Sequence, residues 1–593
     1  MNISRFKINF LLVLLPWLPS FAAIEPVSAQ SIEAAADGTM TLVTKDGQRF
    51  VIDGGTLSGD GKNLFHSFKE FGLDAGEIAT FLANPAIQNI LSRVNGGNPS
   101  VIDGLIEVVG GNSNLYLMNP AGIIFGSNAS LNVSGDFTAT TATGIGFDDK
   151  WFKAFGDNDY ASLVGNPNQF QFQGENGVII NAGELKVDKG SNITLIGQTV
   201  LNTGEVSAAE GKILITSVPG TSRVKLSTPG SILSLEIELP EDKAGNQLEV
   251  TAVDLPTLLT GSKVETGLDI SETGEVSLNN SNVVIPSESG ITIISGEVSV
   301  SSVEELAGEI TITGDGVALI EATVTADGEL GGGKILVGGE KQGLGNTPRA
   351  EIIYVDENSK ISADGLTSGD GGEVIVFAEK TARIYGDISA RGNEDGGFVE
   401  TSGKEYIEIT KTPDVSSAIG EGGEWLIDPH NIDIVAGNGN LGINNFNPFA
   451  ASGDDAQLGV ILIQNALTGG ADVTISTGTT GTQDGDINVL APIDYDGTGN
   501  NSLTLQAARN IIVSSNGSIF DSNTATNDSL NLSLLADFDS DDIGSVVILG
   551  NIATNGGSIS IDGSGFTDSI IDSSGISTII ERPGIDLSAN LNS

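Results

Sequence analysis

Short apolar runs alternate with glycine along most of this chain. Glycines lie at positions 177, 183, 190, 197, 204 and 211, a spacing of six and then repeatedly of seven residues. Strands this short, with a turn after each, are not typical of sandwiches or propellers, whose strands are longer. If three strand-and-turn units form one coil, the coil takes about 20 residues, which is typical of repeat architectures. The apolar runs are 178–180, 185–187, 193–196, 200–201 and 212–215.

A looser form of the same pattern follows, in which a hydrophobic residue, Ser or Thr, and Ala precede a glycine cluster and another strand. It begins at Val324, Ile361 and Ile388, at separations of 37 and 27 residues. Coils that contact only their neighbours tolerate insertions of variable length. The pattern therefore predicts an all-β fold, a parallel β-solenoid with coils about 4.8 Å apart.

Two segments depart from the strand pattern. Residues 454–467 place Leu458, Ile461, Leu462 and Asn465 at helical spacing, with acidic residues before them and two glycines after; this predicts a short helix. Residues 84–94 have helical spacing in glycine-rich surroundings, so helix and strand both stay open there.

The amino terminus has the layout of a secretory signal peptide. Arg5 and Lys7 precede the apolar run 8–18, and Val27-Ser28-Ala29 follows. The run is about half the roughly 20 residues that span a bilayer, and no later stretch reaches 18 apolar residues. We therefore predict cleavage after Ala29, with Ala23 as second choice, and no transmembrane segment after cleavage.

Composition narrows the function classes. Asp and Glu total 77 and Lys and Arg 27, so the net charge is 27 − 77 = −50, which disfavours nucleic acid and anionic lipid partners. The chain has no cysteine and two histidines, His66 and His430. Disulfides, thiolate-bound metals and multi-histidine sites are thereby excluded, and we predict no cofactor.

Three motifs occur in order in the first third of the chain. Taken together, they are more specific for one protein family than any single motif. Residues 63–71 read NLFHSFKEF, residues 89–96 read NILSRVNG, and residues 112–126 read NSNLYLMNPAGIIFG. Together they resemble the filamentous-haemagglutinin N-terminal domain of two-partner secretion exoproteins, especially the cyanobacterial branch. The later GGEVIV and WLIDPHNIDI stretches resemble the repeat region of the same proteins.

The resemblance implies a secreted or cell-surface protein that transits the periplasm and leaves through an outer-membrane β-barrel transporter with periplasmic recognition domains. It implies a right-handed parallel β-helix whose N-terminal secretion domain caps the first coil. The β-helix is expected to form a rod that acts as an adhesin, with a cell-surface glycan or protein as receptor, and to have no enzyme activity. Ala121 stands where family sequences usually carry Asn, and Ser113 also departs from the common pattern. The residues that the resemblance assigns to recognition of the secretion partner are Asn112, Asn114, Leu115, Asn119, Pro120, Gly122 and Ile123.

We expect five segments along the chain. They are a signal peptide (1–29), the core of the secretion domain (30–150), coils that complete it (151–265), a repeat shaft (266–423) and a second β-helical segment (424–593). The boundary before the last segment rests on the glycines 420–423, after which Asn, Asp, Thr and Ser become more frequent.

Other interpretations stay open. Asn112, Asn114 and Asn119 could instead sit in turns or form side-chain ladders inside the helix. His66 is expected to be a packed residue rather than a ligand or base. Asp537, Asp539 and Asp541 have alternate spacing but lack the glycine and glutamate of an EF-hand, so a solvated turn is preferred to weak calcium binding.

The alternative function is a carbohydrate-active β-helix enzyme acting on acidic polysaccharide, with Asp484 and Asp486 as candidate carboxylates. The sequence places no arginine beside either of them, and we expect the adhesin instead.

Overall fold

In the computed structural model the chain winds into parallel coils, so the predicted all-β parallel β-helix is confirmed. The structure describes residues 31–563, 570–571, 585–587 and 591–592. The gaps inside the first range are 175–176, 229–230, 238–254, 263, 280, 282, 287–288, 440–447, 450–455, 479–482, 498 and 523–528. The signal peptide and its cleavage site at Ala29 lie outside these residues.

One face of the β-helix runs along almost the whole described chain. Its strands pair in parallel, each with the corresponding strand of the next coil. In chain order they are Asn63–Glu70, Asn89–Val94, Asn114–Met118, Phe137–Thr140, Ile193–Gly197, Lys212–Ser217, Glu309–Thr313, Lys334–Val337, Glu373–Ile384, Phe398–Gly403, Glu424–Ile427, Asp472–Ser476, Asn500–Gln506, Ser529–Leu535 and Ile559–Asp562.

A second and a third face complete each coil. The long strand Glu373–Ile384 turns the corner between the first face and the second face and belongs to both. The second face consists of Ser100–Ile102, Ile123–Phe125, Val178–Asn181, Thr199–Asn202, Ile291–Ile294, Gly316–Leu319, Ala350–Val355 and Tyr406–Ile409. The third consists of Thr41–Asp46, Arg49–Gly54, Ile78–Leu82, Leu105–Val109, Ser130–Asn132, Glu184–Lys186, Glu205–Ser207, Glu297–Ser299, Thr323–Thr325, Lys360–Ser362 and Asp387–Ser389.

After residue 430 the second and third faces continue as separate sheets. The second is formed by Ile432–Val435, Ala456–Gly459, Ile487–Val489, Ile511–Val513, Val546–Ile548 and Ile585–Leu587. The third is formed by Ile493–Tyr495, Ile519–Asp521, Ile552–Ala553 and Leu591–Asn592, and Ile570–Ile571 pairs antiparallel to the first face.

The sequence repeats correspond to coils in register. Val178 lies beside Thr199 in the next coil, 199 − 178 = 21 residues later, close to the predicted 20. The looser repeat aligns in the same way, because Val324, Ile361 and Ile388 are neighbours on the third face. The repeat pattern was thus read correctly from sequence.

The core is a set of apolar columns inside the coils. On the first face, Leu64, Ile90, Leu115, Phe137 and Ile193 stack one above another. The column continues through Ile213, Ile310, Ile335, Val374, Val399, Trp425, Val473, Leu503, Leu532 and Ile559. These side chains are buried in one continuous cluster, which provides most of the hydrophobic stabilisation.

Antiparallel strands close the amino-terminal end. Glu33–Ala34 and Thr56–Leu57 pair antiparallel with the first coil strand, and Thr41–Asp46 pairs antiparallel with Arg49–Gly54. They cover a coil edge that would otherwise present unpaired N–H and C=O groups.

Insertions cover two outer faces. The antiparallel strands Gly144–Phe147, Lys150–Lys153, Gln169–Phe172, Ser222–Thr228 and Ser231–Ile237 form one sheet. Its Phe147, Phe152 and Phe170 pack on Phe65 and Leu91 of the first face. On the second face lie the helix Leu255–Gly261 and the hairpin Leu268–Ile270 and Val276–Leu278; short 3-10 turns occur at Tyr160–Ser162 and Lys341–Gly343.

The helix predicted over 454–467 lies later. Residues 454–455 are outside the described set, Ala456–Gly459 is a strand, and the helix is Val460–Thr468. Ile461, expected on its buried face, is 42% exposed, whereas Leu462 and Ile463 are buried. The parallel pairing of Leu458 with Ile434 overrides local helical spacing. In the open segment 84–94, Asn89–Val94 is a strand.

Within the described residues, no helix has both the length and the apolar character needed to cross a membrane.

The apolar column gives a first prediction. Ile310→Ala removes buried methyl groups between Ile213 and Ile335 and is expected to lower stability by about 2–5 kcal/mol, because a cavity remains. Urea unfolding followed by circular dichroism measures the effect. Val303→Ala is the matched control, since Val303 is 86% exposed and its truncation should change stability by less than about 0.5 kcal/mol. Equal shifts in the two variants would contradict this account of the core.

Candidate functional site

The residues singled out for partner recognition share one coil. Asn114 and Leu115 begin the first-face strand Asn114–Met118, Asn119 to Gly122 form the corner, and Ile123 begins the second-face strand Ile123–Phe125. Asn112 lies on the turn before this coil strand. The chain therefore brings all seven residues together.

Asn114 belongs to a ladder of polar side chains that links successive coils. Its Nδ2 donates to Oδ1 of Asn89 at 3.0 Å, and Asn89 Nδ2 donates to Oδ1 of Asn63 at 2.8 Å. In the other direction, the Asp136 amide donates to Asn114 Oδ1 at 2.9 Å, and the Asn192 amide donates to Asp136 at 2.8 Å. Each side chain thus satisfies a group of the neighbouring coil, as buried polar groups require.

Asn119 holds the corner between the two strands. Its Nδ2 donates to the Asn98 carbonyl and to Ser100 Oγ, both at 3.0 Å, while its Oδ1 accepts the Ala121 amide at 3.0 Å. Gly122 has φ +124°, in the region that favours glycine, and its amide donates to the Asn119 carbonyl. Asn119 and Gly122 are therefore both needed for this turn.

Most of these side chains are hidden in the folded domain. Leu115, Asn119 and Ile123 are at most 1% exposed, and Pro120 is buried. Asn112 is exposed and Asn114 is partly exposed. In the folded state a partner can therefore reach only the asparagines at the start of the coil.

These two asparagines line a cleft of about 620 Å³ whose other residues the sequence analysis missed. Gln88 and Asn166 add two more amides, and Pro85, Ile87 and Gly111 complete the lining. None of the lining residues is titratable, so the cleft offers amide donors and acceptors but no acid or base. Asn166 comes from a distant loop, and only the fold shows that it belongs here.

Arg93, a buried residue of the strand Asn89–Val94, connects two other parts of the domain. They are the antiparallel segment that closes the amino-terminal end (the cap) and the antiparallel sheet on the first face (the outer sheet). Arg93 Nη2 donates to Asp37 at 2.8 Å, its Nε donates to Ser67, and its Nη1 donates to the carbonyls of Lys153 and Gly156. Burial raises the pKa of Asp37, but hydrogen bonds from Ser67, Thr39 and Arg93 outweigh it and hold that pKa at about 2. Arg93 thereby joins the coil to the cap through an ion pair and to the outer sheet through two backbone carbonyls.

His66 is a packed residue of the first coil, as expected. It is fully buried between Phe68 and Phe81, with ring centroids 6.2 and 5.9 Å away. Burial lowers its pKa to about 4, so the imidazole is neutral near pH 7.

The carboxylates of Asp537, Asp539 and Asp541 do converge, with oxygens within 4.8 Å of one another. The group is largely exposed, and exposed acidic turns are common without an ion.

The expectation that no arginine lies beside the candidate enzyme carboxylates was wrong. Arg509 contacts Asp484 at 2.6 Å and Asp486 at 2.5 Å, because the strand that follows Asp486 pairs in parallel with Ile511–Val513. Burial raises the pKa of Asp486, but hydrogen bonds from Arg509 and Asn510 together outweigh burial, so the pKa lies below its ordinary value. The general acid of a glycosidase needs a raised pKa. The pKa of Asp486 is lowered instead, so Asp486 is unsuited to that role.

Comparison with known proteins identifies the amino-terminal part of the chain. Residues 29–257 match the family model of the TPS secretion domain. This part of the chain is a TPS secretion domain. It contains the capped coils, the asparagine ladder and the amide cleft described above, and the predicted resemblance is confirmed.

Two known proteins are similar to parts of this chain. A heme/hemopexin-binding protein of Haemophilus influenzae is 30% identical over 131 residues, which make up 21% of this chain and 13% of that protein. The crystal structure of the HMW1 secretion domain from Haemophilus influenzae is 20% identical, with a TM-score of 0.34, and the match covers 68% of this chain and 100% of that one.

The asparagine ladder of the TPS domain is testable. Asn114→Ala leaves Asn89 Oδ1 and the Asp136 amide of adjacent coils without this partner, at an expected cost of about 1–3 kcal/mol. Urea unfolding checks the value. Asn112→Ala is the control, because Asn112 is exposed and should cost less than about 0.5 kcal/mol. Equal costs would show that the ladder does not support the coil.

His66 predicts a pH dependence. Its folded pKa of about 4 lies below the ordinary 6.5, so the unfolded chain takes up a proton first as pH falls. The free energy of unfolding is therefore unaffected by this group above pH 6.5. It falls by roughly 2–3 kcal/mol between pH 6.5 and 4. As pH falls through this window, the unfolding midpoint of the native chain should therefore fall relative to that of His66→Phe, which has no titrating group at this position. Parallel pH profiles would contradict the assignment.

Proposed function

We propose that this chain is a two-partner-secretion exoprotein whose TPS domain is recognised by an outer-membrane β-barrel transporter. The observation that carries the proposal is the match of residues 29–257 to the TPS secretion domain. We further propose that Asn112, Asn114, Leu115, Asn119, Pro120, Gly122 and Ile123 contribute to that recognition.

The burial of these residues suggests when recognition occurs. Leu115, Asn119 and Ile123 have almost no exposed surface once the coils close, so a partner must contact them in the unfolded chain. An extended segment with unpaired N–H and C=O groups can add to a sheet of the transporter's periplasmic domains. Closure of the coils outside the cell then buries the same residues and prevents return.

We assign the later coils to surface adhesion rather than to catalysis. Stacked parallel coils continue from the TPS domain to Ile559–Asp562 and would present their turns along an extended surface. A cell-surface glycan or protein is the proposed receptor, and the product is placed outside the cell or on its surface. The alternative, an enzyme acting on acidic polysaccharide, would use Asp484 and Asp486, which are held in ion pairs with Arg509.

Secretion tests the export route. The chain is expressed in a diderm host with and without its cognate barrel, and culture fluid is compared with periplasm. We expect barrel-dependent release and an at least tenfold loss in Asn119→Ala. Asn202→Ala is the matched control, because Asn202 is equally buried and bonded between coils but lies outside the motif. Equal losses would assign Asn119 to folding alone, and release without the barrel would contradict the proposal.

A further inference from the structure

The stretch WLIDPHNIDI contains Asp428-Pro429, the only Asp-Pro pair in the sequence. The pair lies at a corner of the β-helix, after the first-face strand Glu424–Ile427 and before the second-face strand Ile432–Val435. The peptide nitrogen between the two residues belongs to the proline ring and carries no hydrogen. It is more basic than other peptide nitrogens, so it accepts a proton and departs more readily when its carbonyl carbon is attacked.

The side chain of Asp428 is enclosed between neighbouring coils. Asp428 is 2% exposed. Gly478 of the next coil lies against it, since a Cβ on that glycine would stand 3.1 Å from Asp428 Oδ1. The preceding coil contributes Lys404, whose carbonyl accepts the amide of His430 at 2.7 Å. The carboxyl group is therefore confined to the corner that contains its own peptide bond to Pro429.

This carboxyl group is buried without a hydrogen-bond partner. In the part of the chain that the structure describes, Asp428 accepts no hydrogen bond, and only the charge of Lys404 acts against the effect of burial. Asp364, which is 3% exposed, differs because it accepts the backbone amide and the guanidinium of Arg391. Burying a polar group without a hydrogen bond costs free energy, so stability of the coil does not account for Asp428.

The surroundings keep Asp428 protonated at an unusually high pH. Burial raises its pKa to about 7, although the charge of Lys404 lowers it. Glu400 of the preceding coil is also buried, and burial together with the nearby charge of Asp428 raises the pKa of Glu400 to about 8. His430, two residues further along the chain, is the other titratable group of this corner. A group whose pKa lies near the working pH can both give and take a proton there.

We propose that the chain cleaves its own peptide bond between Asp428 and Pro429. An oxygen of the Asp428 carboxyl group attacks the backbone carbonyl carbon of the same residue and closes a five-membered anhydride ring. The carboxyl proton passes to the Pro429 nitrogen, the C–N bond breaks, and Pro429 becomes a new amino terminus. One water molecule then opens the anhydride and leaves Asp428 with two carboxyl groups at a new carboxy terminus. The sum of these steps is hydrolysis of one peptide bond.

Cleavage would divide the chain into residues 30–428 and 429–593 without separating the coils. The strand Glu424–Ile427 pairs in parallel with Phe398–Gly403 on one side and with Asp472–Ser476 on the other. The two fragments should therefore stay stacked until they are unfolded. This inference does not depend on the route by which the chain is exported.

The chain without its signal peptide, purified at about pH 8.5 and then held at about pH 6, tests the proposal. We expect denaturing electrophoresis and mass spectrometry to show one fragment that ends at Asp428 and one that begins at Pro429. The rate should rise as pH falls and be half-maximal near pH 7, because the attacking carboxyl group supplies the proton. A folded chain that stays intact at about pH 6 would overturn the proposal.

Two comparisons separate this reaction from ordinary acid lability. In urea at the same pH, cleavage should be at least tenfold slower, because unfolding returns the pKa of Asp428 to the ordinary 3.8 and releases the side chain. Asp428→Glu should also lose at least tenfold, since its ring would need six members, whereas Asp364→Glu, at an equally buried aspartate, should cleave at the native rate. Equal rates in the folded and unfolded native chain, or equal losses in the two variants with folding verified by circular dichroism, would contradict the proposal.

Discussion

The direct stacking of each coil on the one before it is the constraint on which this structure depends. Parallel register places every inward side chain above another inward side chain, as in the column from Leu64 to Ile559. One polar residue there would face apolar neighbours on both sides, without a partner. The same register brings the corners so close that Gly211, Gly308 and Gly333 have the carbonyl of a neighbouring coil where a Cβ would stand. Apolar columns and glycine corners are thus two results of one geometry.

This constraint explains how much the sequence could predict. The spacing of glycines and apolar runs predicted the coil length, since coils without insertions, such as those of Val178 and Thr199, repeat the same chemistry after 21 residues. The helix was misplaced because Leu458 belongs to a strand paired with Ile434, a non-local contact that helical spacing does not record. The amide cleft was only half predicted, because Asn166 and Gln88 join Asn112 and Asn114 through the fold. The expected segment boundaries stay predictions.

The same residues are assigned to partner recognition and stabilise the folded coil. Asn119 bonds one group of its own corner and two groups of the preceding coil, and Asn114 links coils on both sides. Both the side-chain ladder and the turn that the sequence left open are therefore present. A structural role does not exclude contact with a partner, because the two can occur at different times. The unfolded chain exposes these amides, and the folded coil uses them internally.

Coil stacking also gives some acidic residues at corners a structural role. At corners, where strand pairing ends, carboxylates span the gap by accepting an amide of the next coil. Asp327 accepts from Asp364, Asp364 from Arg391, and Asp494 from Ser522. Such charge-assisted bonds are stronger than neutral ones, and lysine or arginine cannot replace them because an N–H group requires an acceptor. Where carboxylates instead stack on one another, as Glu184, Glu205 and Glu297 do, burial and then the neighbouring charges raise the pKa of Glu205. The amide bonds offset part of the cost of burying these carboxylates; at Asp327 burial outweighs them and raises the pKa. Stacked carboxylates oppose one another.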